Sequence, residues 1–107
     1  MDMRAVAKRI RDARTERHLT QEDLAAKAEI SLTHMGVIER AAKVPSLTTF
    51  VAIANALDVS ADSLLLDVVN KSSEQKATLL GSMISQESPE VQRKILKVVE
   101  VLLDQNG

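Results

Sequence analysis

The stretch LTQEDLAAKAEISLTHMGVIERA, running from Leu19 to Ala41, decides the fold. It reads as two short helices, each with its own start signal. Thr20 is an N-cap residue, Asp23 stands three positions on to return the bond, and Leu19 and Leu24 occupy the two positions of a hydrophobic staple. The same grammar recurs eleven residues later, where Ser31 caps and Ile30 and Met35 flank it. So few residues separate the two helices that they must cross steeply rather than lie side by side.

Working outward, Val6, Ile10 and Ala13 share one helical face while Arg4, Lys8, Arg9, Arg11, Arg14 and Arg17 crowd the rest, which predicts a first helix over about 3–17. The capped helices follow at about 21–28 and 32–40. Pro45-Ser46 starts a fourth, with Leu47, Phe50, Val51, Ile53, Ala54 and Leu57 as its core face. Asp58-Val59 breaks it, Ser60 caps, and a short fifth helix over 61–66 carries Leu64 and Leu65. Residues 67–73 read as a linker. A sixth helix over 74–86 sets Ala77, Leu80 and Ile84 on one face with Leu79 and Met83 beside them. Ser88-Pro89 restarts the chain, because Ser caps and Pro is tolerated at the first helical position. The seventh helix then runs to about Asp104. The expected class is all-α: a five-helix domain over residues 1–67, then a linker and two-helix segment over 68–107.

Composition narrows the function. One Phe and no Trp or Tyr leave a core of Leu, Ile, Val, Ala and Met, and exclude a single-strand reader that stacks bases on aromatic platforms. Without Cys there is neither a disulfide framework nor a thiolate zinc site. MDMRAVAKRI mixes charges and lacks the apolar core of a secretory signal, and no run approaches the roughly 20 apolar residues of a membrane span. A cytoplasmic protein away from membranes is the expectation. His18 and His34 lack companions at ligand spacing, so neither metal nor cofactor is expected. No Gly-rich phosphate loop or nucleophile–base constellation suggests an enzyme. The net charge of −1 is unevenly spread: residues 1–43 hold nine Lys/Arg against seven Asp/Glu, whereas residues 44–70 hold none against three. The local field at a contact face governs nucleic-acid affinity, not the whole-chain balance.

Arg9-Ile10-Arg11, Arg14, Leu19 to Ala25, Ile38-Glu39-Arg40, Pro45-Ser46-Leu47, Ile53 to Leu57 and Val59-Ser60 together resemble the XRE family of phage-repressor-like regulators. The resemblance runs without gaps over about residues 4–66 and leaves out the C-terminal helices. It implies a lambda-repressor-like, five-helix domain that binds operator DNA, usually as a dimer. Base reading would fall to Leu32, Thr33 and Val37, with Gly36 on the same exposed edge. Apolar and short, these side chains suit thymine methyls and a single hydrogen bond rather than the bidentate pairs of Arg or Gln. An exposed Leu32 and Val37 also suit a protein-binding patch. Candidate phosphate contacts are Gln21 and Ser31 at helix starts, His34 (equally an ordinary surface histidine), Arg40 and Lys43 in the following loop, and Ser46 with the amides opening the fourth helix. Arg14 and Glu39 match a structural ion pair. Ala25 is small where the two helices must touch. Two departures stand out: Glu29 and Ala41 occupy turns where the family commonly has Gly, at a cost on the order of 1 kcal/mol each if φ is positive.

In the last helix, Val91, Ile95, Val98 and Leu102 follow a coiled-coil-like spacing, with Val99 in an adjacent stripe. That surplus apolar surface points to a homodimer, which would set two recognition helices about 34 Å apart on a palindromic operator. The sequence therefore predicts a dimeric repressor of double-stranded DNA. The alternative is an antitoxin or anti-repressor whose C-terminal helices grip a protein partner.

Overall fold

A computed structural model describes residues 3–65 and 73–106. Among them are seven helices and no strand: α1 (Arg4–Glu16), α2 (Gln21–Ala28), α3 (Leu32–Glu39), α4 (Leu47–Leu57), α5 (Ala61–Leu64), α6 (Ser73–Ser85) and α7 (Pro89–Asn106). Leu65 closes α5 as a turn, and the linker expected at 67–73 lies outside the described residues, except that Ser73 opens α6.

Local side-chain chemistry sets the helix starts. Thr20 Oγ1 accepts from the Asp23 amide at 3.0 Å while Asp23 Oδ2 accepts from the Thr20 amide at 2.9 Å, a complete capping box. Those bonds hold the Asp23 carboxyl below its ordinary pKa, the Thr20 amide contributing most. Ser31, Ser46 and Ser60 cap α3, α4 and α5 through the amides of His34, Thr49 and Ser63.

The helix ends are less ordinary. Residues His18, Glu29, Ala41 and Asp58 all sit in the left-handed region with φ of 56–58°. Each makes a six-to-one closure in which the following amide returns to a carbonyl four residues before the left-handed one: Leu19 to Arg14, Ile30 to Ala25, Ala42 to Val37 and Val59 to Ala54. His and Asp tolerate this conformation better than most side chains, whereas Glu and Ala do not. Both glycine departures thus carry the strain anticipated for them.

The core joins Val6 and Ile10 of α1, Leu24 of α2, Met35 and Ile38 of α3, and Phe50, Ile53 and Leu57 of α4, all essentially inaccessible. Ala25 is buried at 2% exposure between α2 and its neighbours. Two expectations need correcting. Val51, assigned to the core face of α4, is 39% exposed, because Phe50, Ile53, Ala54 and Leu57 already complete the buried stripe. In α6 the buried pair is Leu79 and Met83 rather than Leu80 and Ile84, which are half-buried; the side chain of Ala77 lies outside the described residues. Leu79 and Met83 join the same core as the preceding helices. Each such burial is worth about 1.5–3 kcal/mol, enough to hold α6 on the body formed by α1–α5.

Candidate nucleic-acid interface

The crossing of α2 and α3 is locked by a buried network centred on Glu39, which is only 1% exposed. Arg14 reaches it from α1 with two parallel bonds, Nε to Oε2 at 2.9 Å and Nη2 to Oε1 at 3.0 Å. Its remaining nitrogen, Nη1, donates to the Leu19 carbonyl at 2.9 Å, just ahead of the α2 cap. Gln21, the first residue of α2, donates through Nε2 to Glu39 Oε1 at 3.2 Å. One carboxylate thereby ties α1, the start of α2 and the end of α3. Arg11 adds a second tie by donating to the Glu39 carbonyl at the C-terminal end of α3, where a cation suits the helix dipole. Sequence reading missed Arg11; its signal was the three-residue spacing from Arg14, which sets both guanidinium groups on one face of α1. Among the described residues no buried side-chain nitrogen or oxygen lacks a partner.

On the outer edge of α3, Leu32 is 50% exposed, Thr33 is exposed, and Val37 and His34 are half-buried. Gly36, expected on that exposed edge, is buried. The Arg40 side chain lies nearest to it: a Cβ added at Gly36 would stand 3.0 Å from Arg40 Nη1 and 4.0 Å from Gln21 Oε1 of α2. The missing side chain leaves room for the guanidinium to fold back one turn over Gly36, which the Gln21 amide also approaches. Arg40 and Lys43 are themselves exposed.

The two serines proposed as phosphate contacts are committed to capping. Ser31 Oγ accepts from the His34 amide at 3.0 Å. Ser46 Oγ accepts from the Thr49 amide at 3.3 Å and donates to Thr49 Oγ1 at 3.1 Å, so its proton already has a partner. Moreover, the start of α4 already holds an anionic group. Glu87, in the turn between α6 and α7, accepts from the Thr48 amide at 2.6 Å. Its neighbour Gln86 donates to the carbonyls of Val44 at 2.9 Å and Pro45 at 3.3 Å.

The C-terminal candidates separate along α7. Val91 and Ile95 are half-buried, and with Ile84, Pro89, Gln92, Arg93, Leu96 and Val99 the latter lines an open cavity of about 520 Å³. Farther along, Val98 (58%), Val99 (44%) and Leu102 (53%) are exposed, as are Leu96, Val101 and Leu103. Among the described residues no group of His, Cys, Asp or Glu is arranged to hold a metal ion, and no helix is long and apolar enough to cross a membrane.

These features meet in one class, a helix-turn-helix unit followed by a helical hairpin. The helix-turn-helix family profile matches residues 10–64, and the chain belongs to that family, in its XRE branch. It is 42% identical over 60 residues to an immunity repressor protein of Bacillus phage phi105; the alignment covers 56% of this chain and 42% of that protein. Among solved structures it is similar to the restriction-modification controller protein C.AhdI from Aeromonas hydrophila, with a TM-score of 0.56 and 31% identity, covering 58% of this chain and 94% of the controller. It is also similar over 92% of its own length and 98% of the other to a structure of the SinR protein/SinI protein complex, with a TM-score of 0.57 and 26% identity.

Proposed function

We propose that this chain is a transcriptional repressor that binds double-stranded DNA sequence-specifically as a homodimer on a palindromic operator. The observation that carries the reading is the Arg14–Glu39–Gln21 network, which fixes the crossing of α2 and α3 while leaving the outer edge of α3 open. In this reading α3 lies in the major groove. Leu32, Thr33 and Val37 meet base edges, Arg40 and Gln21 meet phosphates as a pair over Gly36, and Lys43 meets the backbone beyond them. His34 and the Ser31 hydroxyl proton are further donors for phosphate. With such short apolar readers, much of the specificity comes from thymine methyls, backbone positioning and DNA shape. Such a regulator works in the cytoplasm, where its operator is. The repressor assignment leans on the likeness to the phage immunity repressor.

Dimerisation is assigned to α7, because Val98, Val99 and Leu102 remain uncovered on the folded chain while Val91 and Ile95 continue the same seam. Residues 1–67 would then form the reading domain and 68–107 the assembly segment. A second reading, a protein-partner function of antitoxin or anti-repressor type, draws on the same exposed face and on a structural neighbour solved as a two-protein complex. Selection of bound genomic DNA fragments, with Arg40→Ala as control, tests the first reading: a common motif with two-fold symmetry is expected, depleted in the variant. Folded wild-type protein that enriches no sequence, at a monomeric mass in sedimentation, would refute it.

A further inference from the structure

We propose that Glu87 is a built-in phosphate mimic, a carboxylate from the C-terminal hairpin that occupies the start of α4 and restrains DNA binding by the helix-turn-helix unit. This deepens the operator-binding reading and rests on it. In that reading the loop after α3, with Arg40 and Lys43, tracks the DNA backbone into the N-terminus of α4. A helix start attracts anions through its free amides and the positive end of its dipole. Here the Thr48 amide is taken by Glu87 Oε1 at 2.6 Å.

The contact is aimed rather than accidental. Gln86 binds the same turn to the Val44 and Pro45 carbonyls, immediately before α4. Gln92 donates to the Glu87 carbonyl at 2.9 Å, and Ser88 caps α7 through the Val91 amide at 3.2 Å, so the turn is fixed from its other side. Leu79 and Met83, both buried in the core, anchor the helix that delivers it. Glu87 is half-buried in this setting, unlike Glu90, which is exposed and sits 3.7 Å from Lys94 across a solvated i,i+4 pair.

Two consequences follow for a phosphate approaching this corner. It meets a negative charge well within the Debye length of about 8 Å, and the amide that would bind it is already engaged. Seating the phosphate therefore requires the Glu87 carboxylate to leave Thr48. Because coupling is reciprocal, DNA that occupies this corner loosens the hairpin, and anything that draws the hairpin away strengthens DNA binding.

Fluorescence anisotropy with a labelled random-sequence duplex, at low and raised salt, tests this on the full chain. Glu87→Gln and Glu87→Ala are compared with wild type and with Glu90→Gln, which removes the same charge three residues away. Both Glu87 variants are expected to bind about 3- to 10-fold tighter at low salt, with the gap closing as salt rises. Glu90→Gln should stay within about twofold of wild type. Wild-type binding that neither Glu87 variant tightens would overturn the proposal, as would an equal gain in Glu90→Gln, which would reduce the effect to net charge. If every protein is folded by circular dichroism and none binds duplex, the operator-binding reading itself fails and takes this one with it.

Discussion

Removing the charge of Glu39 should unfold much of what the helix-turn-helix depends on. In Glu39→Gln the side chain keeps its shape, but its single carbonyl oxygen can accept from only one of the two Arg14 nitrogens now bonded at 2.9 and 3.0 Å, and its NH2 faces the other. Arg14, with 15% of its side chain exposed, is left as a largely desolvated cation without a counter-charge, held by that one bond and the Leu19 carbonyl. Breaking a buried pair from one side costs about 3–5 kcal/mol, against 0–1 kcal/mol for a surface pair. The partial exposure of Arg14 favours the lower end, so a loss of about 3 kcal/mol is expected, equivalent to roughly 12–20 °C in melting temperature for a domain of this size. Replacing both partners by apolar residues, Arg14→Met with Glu39→Leu, should recover most of that stability, because no buried charge is stranded. The double variant should nevertheless bind DNA poorly, since Gln21 loses the acceptor that orients it. Urea unfolding followed by circular dichroism, at one fixed protein concentration, reads the first effect, and duplex titration reads the second. A Glu39→Gln penalty below about 1 kcal/mol would refute the reasoning, since the network would then be worth no more than a solvated pair.

Three other outcomes are expected. Glu29→Gly and Ala41→Gly should each raise stability by about 0.5–1 kcal/mol, the relief of left-handed strain less the added freedom of the unfolded chain; a fall in melting temperature for both would count against the strain. The Asp23 carboxyl titrates below its ordinary value when folded, so its charge stabilises above about pH 4 and the benefit disappears as pH falls through the lowered value. The stability gap between wild type and Asp23→Asn should therefore be full at neutral pH and vanish in acid, and a gap that is flat across that range would contradict the capping-box account. Finally, Val37→Ala should lower discrimination at one thymine position of a selected operator by about 1 kcal/mol, roughly fivefold, and an unchanged selected motif would argue that Val37 reads nothing.

What could be read directly from the chain was whatever depends on residues three or four positions apart. The caps at Thr20, Ser31, Ser46 and Ser60 act on amides three residues on, so each helix start follows from composition and spacing alone. The family pattern placed Arg14 opposite Glu39 by likeness, without any local rule that brings them together. Helix faces were less legible. Val51 faces solvent, and of the two adjacent stripes of α6 Leu79 and Met83 take the buried side, because several apolar residues compete for one buried stripe and only the neighbouring helix decides between them.

The sequence by itself determined two capped helices, their tight turn, and a C-terminal helix richer in apolar surface than one small body can cover. The tertiary structure alone decided three things. Gln21 joins the Arg14–Glu39 pair from 18 residues away, Arg40 lies over Gly36, and Glu87 seats on Thr48 from 39 residues away. Local spacing fixes hydrogen bonds within a turn of helix, but which distant polar group fills an open amide depends on how the helices pack. At the start of α4 that packing put a carboxylate where the sequence had suggested room for a phosphate.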